Sequence, residues 1–317
     1  MRTVLALCAL LASLPAQAET LRIGSKRFTE SYILGEVLKQ AVEGKTAVEH
    51  RPGMGNTGIL YSALKSGSID LYPEYTGTIA REILKVDGNP SLEEINRGLA
   101  PLGLGVAVRL GFNDSYALAM REDRAGALGM RTLSDLARHP GLKLGLSQEF
   151  IGRGDGWPGM QAAYRLPYAT PSGLDHGLAY EAIAAGRIDV MDVYTTDAKI
   201  DRYKLRVLED DRAFFPRYDA VLFYRLDVPK RFPEAWRTLE ALEGKIDERR
   251  MIRMNAAAEL EGKSFAQAAA LLVSDGKPQS AARRRFLDVL FGPDFWRLTG
   301  EHLLLVFVSL AASIAVG

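Results

Sequence analysis

Apolar and polar positions change period repeatedly along the chain. Short apolar runs of strand length, at Leu21–Gly24, Ala47–Arg51, Ile69–Leu71, Leu104–Arg109, Leu142–Leu146, Ile188–Met191 and Leu205–Leu208, alternate with stretches of helical spacing such as Tyr32, Ile33, Val37, Leu38 and Val42. Strand and helix alternating in both halves predict an α/β protein of two lobes. Gly111–Met120 passes from strand to turn and back and reads as a first crossing between lobes; Asp210–Asp219 reads as the return, with Ala220–Arg225 extending into the first lobe. Helical stretches at Pro233–Leu242, Asp247–Leu260, Ser264–Ser274 and Ala281–Leu290 then complete that lobe. The expected division is 19–112 with 216–290 for lobe one and 113–215 for lobe two.

One pattern occurs twice. Ala63–Thr78 reads A-L-K-S-G-S-I-D-L-Y-P-E-Y-T-G-T, a helical face ending at Gly67, a strand at Ile69–Leu71, then a turn between Pro73 and Gly77 that carries Tyr72, Glu74, Tyr75 and Thr76. Ala182–Thr195 reads A-I-A-A-G-R-I-D-V-M-D-V-Y-T and sets Gly186 on Gly67, Asp189 on Asp70, Tyr194 on Tyr75 and Thr195 on Thr76. Buried strands of α/β units leave functional side chains at their carboxyl ends, so each lobe offers a tyrosine at the same place. Ser25 or Thr29 is placed to cap the first helix, and Asn56 or Thr57 the helix Gly58–Leu64. The polar, glycine-rich run Ser147–Gly159 after a buried strand reads as a binding loop.

Composition narrows the function. The chain has 317 residues, 47% hydrophobic and 25% charged, with 40 Lys and Arg against 39 Asp and Glu, which suits a globular protein and, apart from Arg283, Arg284 and Arg285, offers no strongly basic segment for nucleic acid. Residues 1–18 place Arg2, an apolar run Val4–Leu14, Pro15 and Ala16-Gln17-Ala18 before Glu19, the layout of a secretory signal. The only cysteine, Cys8, lies inside it, so a mature chain has no disulfide, thiol nucleophile or thiolate metal ligand. After Arg297 the sequence ends in Leu303–Gly317 without a charge; these 15 residues fall short of the roughly twenty that span a membrane, so 291–317 is expected to be a linker and a partial or truncated transmembrane helix.

Five tyrosines, Tyr72, Tyr75, Tyr116, Tyr194 and Tyr218, follow strands or occupy crossings. Any one alone reads as a half-buried tyrosine with a satisfied hydroxyl, yet converging faces would hold a quaternary ammonium, which has no hydrogen-bond donor of its own. Lys26 and Arg153 stand beside turns that line the same cleft; separately they read as surface charges, together as a carboxylate site. Asp70 and Asp189, just inside the strands, read as structural. His50, His139, His176 and His302 are isolated and show no ligand spacing, and no nucleophile sits in a recognisable elbow, so neither catalysis, metal nor cofactor is expected.

The segments G-S-K-R-F-T-E-S-Y-I-L-G-E at 24–36, A-L-K-S-G-S-I-D-L-Y-P-E-Y-T-G-T at 63–78, G-F-N-D-S-Y-A-L-A-M at 111–120 and F-F-P-R-Y-D-A at 214–220 resemble the substrate-binding proteins of osmoprotectant ABC importers, which carry glycine betaine, choline, carnitine or proline betaine. The resemblance covers about residues 20–290 and implies the two-lobed periplasmic-binding-protein fold, type II-like, with two crossing strands. It implies a cage of Tyr75, Tyr116, Tyr194 and Tyr218, with Lys26 and Arg153 holding a ligand carboxylate; Tyr72, Thr76, Asn56 and Thr57 are secondary contacts. Two cations favour a zwitterionic betaine over choline, because desolvating them with no opposing carboxylate is costly. The tail resembles the start of the permease subunit of these importers, so the implied partners are that permease and its cytoplasmic ATPase, for a monomeric extracytoplasmic receptor. A choline-preferring receptor of the same family, a sensor module using the same pocket, and an amino-acid receptor in which Glu74 and Asp155 meet a primary ammonium remain alternatives.

Overall fold

The computed structural model describes residues 19–273 and, in the tail, 299–300, 302–304 and 306–307; the secretory signal expected at 1–18, the helix expected at 281–290 and most of the tail lie outside these. The chain divides into two compact units, residues 1–276 and 277–317. Among the described residues no helix is long and apolar enough to cross a membrane.

The first unit holds two mixed sheets, as the resemblance implies. Strands β1 (Thr20–Gly24), β2 (Ala47–Arg51), β3 (Leu71–Tyr75) and β4 (Leu104–Asn113) join β9 (Asp219–Arg225) in the order β2-β1-β3-β9-β4. Strands β5 (Tyr116–Arg121), β6 (Leu144–Gly145), β7 (Val190–Tyr194) and β8 (Leu205–Val207) form the second, ordered β6-β7-β5-β8. The chain passes from one sheet to the other between β4 and β5 and returns between β8 and β9. In the first lobe Leu21, Ile23 and Leu71 pack against Ile33, Leu34 and Leu38 of helix α1 (Thr29–Val42), all essentially inaccessible to water. Burial of each such side chain stabilises by roughly 1.5–3 kcal/mol.

The repeat is a structural device. Helix α2 (Thr57–Ser66) ends at Gly67 with φ 74°, and helix α3 (His176–Ala184) is followed by Gly186 with φ 68°, the left-handed conformation that glycine reaches without a Cβ penalty. Asp70 then accepts from the backbone N–H of Arg22 at 2.8 Å and Asp189 from that of Lys143 at 2.9 Å. Each aspartate thus ties its own strand to the parallel neighbour. The carboxylate of Asp70 also meets the Arg22 and Arg231 side chains; burial alone would raise its pKa, but these partners lower it.

Three local expectations are corrected. The strand expected at Ile69–Leu71 runs instead from Leu71 to Tyr75, so Tyr72, Pro73 and Glu74 are strand residues and not a turn. Pairing with β1 is registered only at Leu71, whereas β9 runs along the whole strand, so Pro73 withdraws its missing N–H from a sparsely bonded edge. Helix α1 starts after Phe28 with no side-chain cap, because Ser25 Oγ bonds His50 Nε2 at 2.9 Å instead. The run Ser147–Gly159 contains helix Gln148–Gly152, capped by Ser147, and the start of helix Trp157–Tyr164, in addition to loop.

Candidate functional site

Tyr75 and Tyr194 end β3 and β7, and Tyr116 begins β5 directly opposite Tyr194 in the antiparallel register. Pairing in register brings the Tyr116 and Tyr194 rings to 5.1 Å. Tyr218, in the return crossing, meets Tyr116 edge-on at 5.7 Å and 88°, and Phe150 and Phe215 lie 5.1 and 6.3 Å from the same ring. Tyr75 does not face Tyr194 directly. Phe28, just before α1, stacks on Tyr194 at 5.5 Å and lies 6.5 Å from Tyr75, bridging the lobes. Burial pushes the phenols of Tyr75, Tyr116, Tyr194 and Tyr218 above their usual range, so the rings stay neutral.

The two cations reach the cluster already partnered. Lys26 Nζ donates to Glu74 Oε1 at 2.7 Å and stands 5.0 Å over the Tyr75 ring and 5.4 Å over Phe28. Arg153 gives Nε and Nη2 to Asp155 at 2.8 and 2.5 Å, and its guanidinium lies 5.4 Å over Tyr116. Nη1 remains, 3.5 Å from Glu149, while Asp155 also accepts from Tyr218 at 2.7 Å. The argument that two desolvated cations lack an opposing carboxylate therefore fails here: Glu74 and Asp155 supply one each. Of the secondary candidates, Tyr72 packs on Phe223 inside lobe one, and Thr76 braces the return crossing through Arg217 O and Asp219 N–H. Asn56 caps α2 and lines a cavity between the lobes; the buried Thr57 hydroxyl at the helix start has no hydrogen-bond partner among the described residues.

Two cavities flank Phe28 and Tyr194. One, of about 480 Å³, lies between Gly55, Asn56 and Ile59 of the first lobe and Ser147–Glu149 with Gly173–His176 of the second. The other, of about 270 Å³, is walled by Glu30, Asp114, His176, Tyr180, Asp197 and Asn255 among others. His176 Nε2 meets Asp197 at 2.8 Å. Burial disfavours its charged form, but Asp197 and Asp192 outweigh burial and hold the imidazole protonated well above its usual value. Its ring lies 4.9 Å from Tyr194.

A family model described as the substrate-binding domain of an ABC-type glycine betaine transport system matches residues 19–274, nearly the whole described region. The chain belongs to this family. A glycine-betaine-binding protein of Pseudomonas aeruginosa is 35% identical over 84% of this chain and 91% of its own length. A Helicobacter pylori protein named ergothioneine transport permease/ergothioneine binding protein is 34% identical over 78% of this chain, which spans under half (46%) of that relative. A solved glycine betaine/carnitine/choline ABC transporter structure superposes with TM-score 0.66 at 28% identity, covering 80% of this chain and 98% of that one. The family is one of solute-binding domains, not catalysts, and among the described residues no group of His, Asp and Glu is arranged to hold a metal ion.

Within this betaine-family domain, sequence reasoning missed Phe28, Phe150, Phe215, Glu30 and the structural role of His176. Phe28 and Glu30 stand inside the G-S-K-R-F-T-E motif, where an aromatic directly before a helix facing the cleft was the available signal. Phe150 and Phe215 gave none, because they join Tyr116 only through the tertiary fold.

Proposed function

We propose that this chain is the extracytoplasmic receptor of an ABC importer for a betaine, glycine betaine or a close relative, which it delivers to a permease coupled to a cytoplasmic ATPase. The observation that carries this reading is the contact of Tyr116 with Tyr194 and Tyr218 at 5.1 and 5.7 Å, where the sheets and crossings converge. A trimethylammonium group offers no hydrogen-bond donor, and each desolvated ring face attracts it by roughly 0.5–2 kcal/mol. Tyr116 and Tyr194 belong to one sheet and stay together as the lobes move, so opening admits the ligand head against their faces by withdrawing Phe28 and Tyr75 of the first lobe. Arg153 Nη1, 3.5 Å from Glu149, turns to the ligand carboxylate in place of Glu149 while Asp155 fixes the guanidinium plane. Lys26 has one of its three donors on Glu74 and two left.

A second reading has its own support. The cavity of about 270 Å³ beside Tyr194, with His176, Tyr180 and Asp197 in its wall, offers acceptors and stacking surface to a betaine that carries a ring. Ergothioneine, in the name of the Helicobacter pylori relative, is such a molecule. Calorimetric titration of the full chain with glycine betaine, proline betaine, carnitine, ergothioneine, choline and a primary-amine amino acid separates the readings. A betaine should bind tightest. Choline binding as tightly as every betaine removes the carboxylate anchor, and preference for the amino acid sinks the quaternary-ammonium reading.

A further inference from the structure

Beside the tyrosines, one hydroxyl joins the lobes through two carboxylates. Thr196, just after β7 in the second lobe, holds Oγ1 2.5 Å from Glu30 Oε2 on α1 of the first lobe and 2.8 Å from Asp114 Oδ1 in the first crossing. A threonine hydroxyl carries one proton, so it can donate to only one of these carboxylates. The other contact needs a proton on the carboxyl group itself. The remaining bonds are built around the same point: the Thr196 backbone N–H donates to Asp114 Oδ1 at 3.3 Å, Tyr75 OH donates to Glu30 Oε1 at 2.6 Å, and Asn255 Nδ2 donates at 3.1 Å both to Glu30 Oε2 and to Thr196 O. Glu30, Asp114, Thr196 and Asn255 are each at least 96% buried. Among the described residues no Lys, Arg or His makes an ion pair with Glu30 or Asp114. The charged groups facing them across the 270 Å³ cavity are Arg27 and Glu259 from the first lobe and Asp175, His176, Asp197 and Lys199 from the second. His176 is engaged with Asp197, and Lys199 with Glu259 at 3.7 Å.

We propose that Glu30 and Asp114 share one bound proton when the lobes are latched, so that this carboxyl pair positions Tyr75 and couples lobe closure to proton uptake. The inference deepens the proposed function, since it rests on lobes that close over ligand. Burial first, and then repulsion from Glu30 and Asp197, holds Asp114 well above the usual carboxylate range; for Glu30 burial outweighs the hydrogen bonds from Thr196, Tyr75 and Asn255 and holds it above that range as well. The sign follows. When the lobes part, both groups meet water and return toward ordinary values near 3.8 and 4.5. The latched form binds the proton more tightly, so closure is favoured at low pH and weakens as pH rises toward the raised values. The closure constant changes by up to about tenfold per pH unit inside that window.

The test uses the ligand-free full chain with Cys8→Ser and fluorophores on Lys65→Cys and Arg187→Cys, one exposed site on each lobe. The interlobe distance, read by energy transfer, should lengthen as pH rises in the otherwise native protein and stay flat in Glu30→Gln and in Asp114→Asn. A flat response in the native background overturns the latch, and so does an unchanged slope in both variants. Calorimetry with glycine betaine in two buffers of different ionisation heat then counts protons: uptake approaching one per ligand is expected, against none for Glu30→Gln. Binding without any uptake overturns the latch. Failure of every betaine to bind overturns the proposed ligand class, while the distance measurement still decides the latch.

Discussion

Arg153 is aimed by its neighbours before any ligand arrives. Asp155 takes two of its nitrogens, Thr78 Oγ1 accepts at 3.3 Å from the other lobe, and the Tyr116 ring lies beneath the guanidinium. On the proposed reading Arg153→Ala removes a charged donor from the ligand carboxylate, about 1.5–3 kcal/mol or roughly ten- to a hundredfold in betaine affinity. It also frees the Asp155 carboxylate, which a cationic ligand without a carboxylate tolerates or welcomes, so choline should lose far less. Equal losses for glycine betaine and choline in parallel titrations would defeat the carboxylate assignment. Tyr194→Ala removes the ring that Tyr116, Phe28 and His176 all contact, so both ligands should weaken by at least tenfold; unchanged affinity would place the ligand elsewhere. The cations and tyrosines were legible because they sit at strand ends and inside motifs. Their carboxylate partners were not. Nothing in linear spacing says that Lys26 meets Glu74, and Pro73 beside it signals a turn where the fold has a strand.

At the scale of elements, the twice-used helix–glycine–strand unit was the most readable part of the chain. Its signal is local: helical spacing, a glycine that must take a left-handed turn, an aspartate and a β-branched run. The same locality made the cap at Asn56 legible, whereas Ser25 is drawn off by a tertiary bond to His50 and the helix starts after Phe28 instead. Two glycines then separate stability from binding. A Cβ at Gly186 would meet nothing within 4 Å, so Gly186→Ala carries only the cost of φ 68°, about 1–2 kcal/mol, and should lower the melting temperature by a few degrees with ligand affinity unchanged. A Cβ at Gly77 would lie 2.7 Å from Arg217 O and from the Tyr218 ring. Gly77→Ala should therefore push the return crossing and Tyr218 away from Tyr116 and weaken ligand binding severalfold beyond any loss of stability. Thermal melts beside titrations check both, and a Gly77→Ala protein with native affinity would detach Tyr218 from the site.

For the molecule as a trap, the decisive contacts are those that join the lobes without touching ligand. One is the ion pair of Lys199, in the second lobe, with Glu259 on the helix Glu248–Glu259 of the first, 3.7 Å apart with 22% and 16% of the side chains exposed. Partly solvated pairs of this kind contribute about 0.2–1 kcal/mol. Because that contribution exists only when the lobes are together, it enters the closure equilibrium and, through it, the affinity for any ligand held between them. Glu259→Lys or Lys199→Glu puts like charges across the gap, and each should raise the dissociation constant by about two- to fivefold, mainly through faster release, since encounter with an open cleft is unaffected. Exchanging both charges restores attraction, so the double variant should recover most of the native affinity. High salt should shrink all these differences. Stopped-flow release rates for the four proteins at low and high salt decide the matter: a double variant as weak as either single one would mean that the pair does not clasp the lobes.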